Sequence, residues 1–160
     1  MAYRMATALA AAGTVLLAAA STTGPAAASA AGYHSSPAAR GATVSLAVIH
    51  GIPGKVLVGS NRRTLYLFEA DTKGRSTCTG ACAAAWPPDI VTGKPRAGSG
   101  VSQALLGTVK RSDGKTQVTY NHHPLYYFAG DMSAGTANGQ GLTAFGAAWF
   151  VVNARGNAVR

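Results

Sequence analysis

Hydrophobic and polar positions follow nearly the same order in two stretches of the chain that lie sixty residues apart. The first stretch reads KVLVGSNRRTLYLFEAD from Lys55, and the second reads KTQVTYNHHPLYYFAGD from Lys115. At this shift Val58 aligns with Val118, and the polar and aromatic positions that follow align as well. Self-similarity at a fixed spacing is the signature of repeat architectures. The pattern therefore predicts an internal duplication.

Each copy is rich in residues that favour β-strands, and short turn signals separate the runs. In the second copy, LGTVKR and KTQVTY flank Asp113 and Gly114, which predicts a hairpin, and LYYFAG follows a turn at 121–124. In the first copy, TVSLAVIH, KVLVGS and TLYLFEA are separated by GIPG and NRR, and WFVVN near the end predicts a further strand. We predict a mainly β fold, in which two similar antiparallel meander repeats pack into one small domain, with a short helical turn near the cysteine pair.

The same pattern sets the expected domain limits. The two repeats fall at about 44–91 and 104–153, and neither has enough strands to close a core alone. We therefore predict a single domain over 44–153, followed by a C-terminal tail at 154–160.

The residues before the repeats have the composition of an export signal. Arg4 precedes an apolar run, and Ala28-Ser29-Ala30 matches the small-residue pattern of a cleavage site. We predict a signal peptide at 1–30 and a flexible lead-in at 31–43. No cysteine follows the apolar run, so we expect a secreted protein, extracellular or associated with the cell wall, that is not lipid-anchored.

Charge adds one expectation about partners. The chain carries 14 Lys and Arg against 5 Asp and Glu, a formal net charge of +9. Such a balance favours anionic neighbours, and cell-wall or surface polymers are the partners expected outside a cell. The basic residues are scattered in pairs without an arginine-rich arm or zinc finger, so no specific nucleic-acid binding and no transmembrane segment are predicted.

An aromatic and acidic motif occurs once in each copy. Both YLFEAD from Tyr66 and YYFAGD from Tyr126 fit Tyr-x-(Phe/Trp/Tyr)-x-x-Asp, and each is followed by a tryptophan. The motif residues, to which we assign a structural role, are Tyr66, Phe68, Asp71, Trp86, Tyr126, Phe128, Asp131 and Trp149. We expect Phe68 and Phe128 to be buried equivalents. Asp71 and Asp131 are expected to end strands and to bond the backbone that follows.

The two motifs and the stretches STCTGACAAAWPP and NGQGL resemble the bacterial secreted-repeat family, whose members are also described as predicted lipoproteins. The resemblance covers about 44–153. It implies an exported protein and no established biochemical function. Many members carry a lipid-attachment cysteine that this chain lacks, so the resemblance does not extend to membrane attachment.

The only two cysteines, Cys78 and Cys82, stand four positions apart. A thioredoxin-like centre needs Cys-x-x-Cys, and covalent haem needs a histidine after the second cysteine, where Ala83 stands. An exported chain with an even cysteine count favours a structural disulfide, with metal or redox use as the alternative. The second copy places Phe145 opposite Cys82, which predicts a buried ring in place of the disulfide.

The other candidate chemistry is the adjacent pair His122 and His123, candidate metal ligands in a predicted turn. No catalytic motif is present, so no catalytic residue and no cofactor is predicted. We therefore expect an exported non-enzymatic protein of the cell envelope or extracellular space, a binding or structural module. The alternative is a metal or redox accessory protein that uses these histidines or the cysteines.

Overall fold

A computed structural model describes residues 41–72 and 74–160. The predicted signal peptide at 1–30 and most of the predicted lead-in lie outside the described residues. The strands are β1 (Thr43–Val48), β2 (Lys55–Val58), β3 (Tyr66–Phe68), β4 (Arg96–Ala97), β5 (Leu106–Lys110), β6 (Thr116–Tyr120), β7 (His123–Pro124), β8 (Thr143–Ala144) and β9 (Ala147–Val151). One short helix, α1 (Ala81–Ala85), follows β3, and a 3₁₀ turn at Gln103–Leu105 leads into β5.

The strands form three three-stranded sheets, in the orders β2-β1-β4, β3-β9-β8 and β5-β6-β7. All pairings are antiparallel except the short parallel pair of β1 with β4. The mainly β prediction, with a short helix beside the cysteines, is confirmed. The hairpin predicted around Asp113 and Gly114 is also present, as β5 and β6.

The two meanders differ from the prediction at their third strands. In the first copy β3 leaves β2 after one bridge, Val58 to Thr64, and pairs with β9 of the second copy. In the second copy the turn is confined to 121–122, and LYYFAG is not a regular strand. Tyr126 instead forms isolated antiparallel bridges to Tyr66 and Pro88. Pairing between the copies therefore replaces part of the pairing within them.

Strand β3 is buried on both faces. Tyr66 and Phe68 belong to one core cluster, whereas Leu65 and Leu67 belong to a second cluster on the opposite side. This division follows from the alternation of side chains along an extended strand. The first cluster holds the tryptophans and motif tyrosines, and the second is mainly aliphatic.

Both ends of the described domain differ in detail from the expected limits. Strand β1 begins at Thr43, inside the range expected to be flexible. At the other end, residues 154–160 fold back on β9, because Val159 donates its N–H to the carbonyl of Val151 at 2.9 Å and Gln140 Nε2 donates to the carbonyl of Val159 at 2.7 Å. Within the described residues, no helix has the length and apolar character needed to cross a membrane.

Candidate functional site

The two motifs meet in a stack of four aromatic rings at the junction of the copies. Trp86 and Trp149 lie face to face, with ring centroids 3.9 Å apart and planes 4° from parallel. Phe68 of the first copy stacks on Trp149 at 4.1 Å, and Phe128 of the second copy packs on Trp86 at 4.3 Å. Each phenylalanine therefore covers the tryptophan of the other copy.

The motif tyrosines and aspartates are exchanged in the same way. Tyr66 donates its hydroxyl hydrogen to Asp131 Oδ2 at 2.6 Å, and Tyr126 donates to Asp71 Oδ2, also at 2.6 Å. The two tyrosine backbones bond each other directly, with N–H to O distances of 2.8 and 3.0 Å. The Tyr-x-Phe-x-x-Asp motif thus joins one copy to the other.

The second oxygen of each carboxylate bonds the loop that follows its own motif. Asp71 Oδ1 accepts from the Thr77 N–H at 2.7 Å, and Asp131 Oδ1 accepts from the Asn138 N–H at 2.7 Å. The expected bond to the following backbone is therefore present, but it spans six or seven residues rather than a tight turn. The hydrogen bond that each aspartate accepts from the tyrosine of the other copy could not be predicted from either motif alone.

The tyrosine hydroxyls remain protonated donors. Burial raises the pKa of Tyr66 far above its ordinary value, and the hydrogen bond to Asp131 raises it further. Burial likewise raises the pKa of Tyr126, and the negative charge of Asp71 adds to the effect. Each pair is therefore a neutral phenol bonded to a carboxylate, an arrangement that stabilises the junction.

A disulfide joins Cys78 to Cys82, with a Cα–Cα distance of 5.2 Å, so the predicted pairing is confirmed. Both cysteines are buried, and α1 contains Cys82 and ends just before Trp86. Arg111 of the second copy holds the same loop, since it donates to the carbonyl of Cys78 at 2.7 Å and to Ser76 Oγ at 2.5 Å. The disulfide and Arg111 together position the loop that carries Trp86.

Comparison with known proteins supports the internal symmetry. The family model described as "secreted repeat of unknown function" matches residues 48–88 and 107–153, one match for each copy. The chain belongs to this family. No curated protein and no solved structure matches it. The resemblance inferred from the motifs is therefore confirmed, and this secreted repeat protein is an exported protein whose role its family does not specify.

Arg111 is the main site residue of the secreted repeat protein that sequence reasoning missed. Nothing in the sequence separates it from the other scattered basic residues, but its side chain is buried and also bonds Gln117 Oε1 at 2.7 Å. The matching position of the first copy, at a shift of sixty, is Gly51, so the repeat gave no signal for it.

Two aromatic predictions are wrong in detail. Phe68 is buried, but Phe128 is only partly buried because it closes the outer end of the ring stack. Phe145 is 51% exposed rather than a buried substitute for the disulfide. It occupies the two-residue turn between β8 and β9 with a φ of 57°.

The candidate metal ligands lie at the β6–β7 turn. His122 is exposed with a φ of 67°, and His123 is partly buried in β7. Among the residues that the structure describes, no three His, Cys, Asp or Glu side chains are grouped so that they could hold a metal ion. The metal-accessory alternative has no supporting geometry in that part of the chain.

A second region of interest is a groove between strand β1 and the turn that follows β2, lined by both polar and apolar side chains. We call it the arginine groove, and define it by Thr43, Ser45, Ser60 and Arg62, which line a volume of about 440 Å³. Thr43 and Ser45 project from β1 on either side of the fully buried Val44. Val44 therefore points to the opposite face of β1, and the core residue that lines the groove is Val58.

Proposed function

We propose that this secreted repeat protein is a non-enzymatic binding module, in which a rigid two-copy core presents a cationic surface to anionic polymers outside the cell. The observation that carries the proposal is the unequal pairing of charge: every acidic side chain has a bonding partner, whereas most of the basic side chains in the described part of the chain face solvent without one.

Each of the five acidic residues has a bonding partner. Asp71 and Asp131 bond the motif tyrosines, and Asp89 accepts from the Tyr127 hydroxyl at 3.1 Å. The other two pair with arginines, Asp113 with Arg111 and Glu69 with Arg160. Little negative charge is therefore left to neutralise the surface.

The basic residues behave in the opposite way. Within 41–72 and 74–160, seven exposed cationic side chains make no hydrogen bond or ion pair: Lys55, Arg62, Arg75, Lys94, Arg96, Lys115 and Arg155. An excess of unpaired positive charge raises the local concentration of anionic ligands and accelerates their association. The charge distribution therefore favours a polyanion as the partner.

The hydrogen bonds of the acidic residues also support the non-enzymatic part of the proposal. The buried tyrosines and aspartates of the motif bond each other across the junction, so they serve the fold rather than a substrate. The proposal also holds the protein to be free of a lipid anchor. Its two cysteines are joined to each other, which leaves no thiol for lipid attachment.

The test is a binding measurement on the purified protein with immobilised polyanions and with neutral dextran, from about 50 mM to about 200 mM salt. We expect binding to the polyanions that weakens steeply with salt, because each neutralised anion releases a counterion. Absence of binding to every polyanion at low salt, or equal binding to dextran, would contradict the proposal.

A further inference from the structure

We infer that the arginine groove is a phosphate-binding site, and that its ligand is a phosphodiester unit of a polyol-phosphate polymer. The inference rests on the proposed function, since it identifies the place where the cationic surface recognises a polyanion. Three features of the groove carry it: an arginine in an unfavourable backbone conformation, unpaired hydroxyl groups, and a lining without acidic or aromatic side chains.

Arg62 has a φ of 62°, in the left-handed region that glycine and asparagine normally occupy. Its turn is closed by the N–H of Arg62 bonding the Gly59 carbonyl at 2.8 Å and by the N–H of Gly59 bonding the Arg63 carbonyl at 3.0 Å. Glycine would fit this turn with less strain. An arginine is therefore present at a conformational cost, and its guanidinium is free to bind a ligand in the groove that it lines.

The hydroxyl groups supply further donors. Thr43, Ser45 and Ser60 line the groove, and none of their hydroxyls bonds another residue in the described part of the chain. Arg96 pairs with Thr43 in the β1–β4 register, so both side chains are on the same face of the sheet. Arg62 lines the groove beside these hydroxyl groups, and Arg96 lies outside the lining on the strand next to Thr43.

This donor set matches a phosphate group. A phosphate presents several strong acceptor oxygens, and the guanidinium fork binds two of them at once. Among the described residues that line the groove there is no carboxylate to repel an anion and no aromatic ring on which a nucleobase could stack. The lining therefore favours a phosphate polymer with a small polyol over a nucleic acid.

The experiment compares variants in binding to an immobilised polyglycerol phosphate. Arg62→Gly should weaken binding about tenfold and reduce the slope of log affinity against log salt by about 1. Its melting temperature should not fall, because glycine accepts the left-handed conformation. Thr43→Val, which removes a hydroxyl without changing charge, should weaken binding at an unchanged salt slope.

Two variants serve as matched controls. Arg155→Gln removes one exposed, unpaired charge outside the groove, and His122→Gly relieves a left-handed residue in the equivalent turn of the second copy. Arg155→Gln should weaken binding less than Arg62→Gly does, because its charge lies outside the groove, and His122→Gly should bind polyglycerol phosphate as the parent does. Inorganic phosphate should compete with the polymer in the parent and not in Arg62→Gly.

The outcomes separate the two proposals. If the parent binds polyglycerol phosphate and Arg62→Gly binds it equally well, the groove assignment is wrong while the polyanion-binding function stands. Equal or tighter binding of polyglutamate or of DNA by the parent would overturn the phosphodiester ligand. A parent that binds no polyanion would remove the proposed function and this inference with it.

Discussion

The first copy of the motif buries its phenylalanine and leaves its aspartate half-exposed, whereas the second copy does the reverse. Phe68 is 3% exposed and Asp131 is 1% exposed, while Phe128 and Asp71 are only partly buried. Both copies nevertheless make the same exchanged contacts across the junction. The duplication therefore determines which motif residues contact each other, and the surrounding loops determine how deeply each contact is buried.

The loops between motif and tryptophan show the same contrast. The first loop is closed by the disulfide and by Arg111. The second loop has no cysteine and is closed by hydrogen bonds, among them the Gly141 N–H to the Trp149 carbonyl at 2.9 Å and the Val151 N–H to Gln140 Oε1 at 2.8 Å. A disulfide with Arg111 in one loop, and hydrogen bonds in the other, thus hold the equivalent tryptophans in one stack.

The largest effect is expected from loss of either tryptophan. Trp149→Ala and Trp86→Ala should each reduce the free energy of unfolding by about 3–5 kcal/mol, since each removes a buried ring that touches the other copy. Urea unfolding should show one cooperative transition in both variants. Phe145→Ala, in an exposed turn, is the control and should change stability by less than about 0.5 kcal/mol. Two separate transitions would mean that the copies fold independently.

The two phenylalanines should differ in cost. Phe68→Ala should lose about 3–4 kcal/mol because its ring is fully enclosed against Trp149. Phe128→Ala should lose roughly half as much, because part of its ring is already in water. Paired urea titrations at one pH measure the difference. Equal losses would show that the unequal burial has no energetic consequence.

The residue that follows the motif tyrosine differs between the copies, and this difference makes the stability of the fold depend on pH. Leu67 in the first copy is matched by Tyr127 in the second, and the Tyr127 hydroxyl bonds Asp89, whose other oxygen has no partner among the described residues. Burial raises the pKa of Asp89 to about 6, although the bond from Tyr127 opposes the shift. The Arg63 guanidinium lies over the Tyr127 ring, 5.4 Å from its centroid.

The sign of the effect follows from proton binding. Between about pH 4 and about pH 6 the folded protein holds the Asp89 proton and the unfolded chain does not, so stability falls as the pH rises through this window. At neutral pH the charged form costs up to about 3 kcal/mol. Asp89→Asn should therefore raise the free energy of unfolding at pH 7 by roughly 1–2 kcal/mol and flatten its pH dependence. Urea titrations across this window measure both, and an unchanged pH profile would show that Asp89 is not the group responsible.

The sequence was informative where a local pattern or a repeat carries the signal. The hydrophobic pattern predicted strand β3, and turn chemistry predicted the β5–β6 hairpin. The exchange of tyrosines and aspartates could not be predicted, because it depends on how the two copies pack. Arg111 was missed for the same reason: two of its partners, Ser76 and the Cys78 carbonyl, lie in the loop of the other copy.

Removal of the disulfide tests the contrast between the loops. Replacing both Cys78 and Cys82 with serine should cost about 2 kcal/mol, because a five-residue loop restricts the unfolded chain only modestly. The melting temperature should fall by several degrees, and the fold should survive because Arg111 still holds the carbonyl of Cys78. An unchanged melting temperature together with the loss of a co-purified metal or haem would favour the accessory alternative over a structural disulfide.

The smallest difference is expected between the two tyrosines, and it is the most direct measure of the exchange. Tyr66→Phe leaves the fully buried Asp131 without its phenol donor and should cost about 2 kcal/mol, since no solvent can replace the bond. Tyr126→Phe should cost about 1 kcal/mol, because water can reach the half-exposed Asp71. Urea titration of both variants, with Asp131→Asn added to complete a double-mutant cycle with Tyr66→Phe, isolates the pair energy. If Tyr126→Phe lowered the free energy of unfolding more than Tyr66→Phe does, burial of the carboxylate would not explain the difference between the two copies. The bond from Ser76 to Tyr126 would then be the next contact to test.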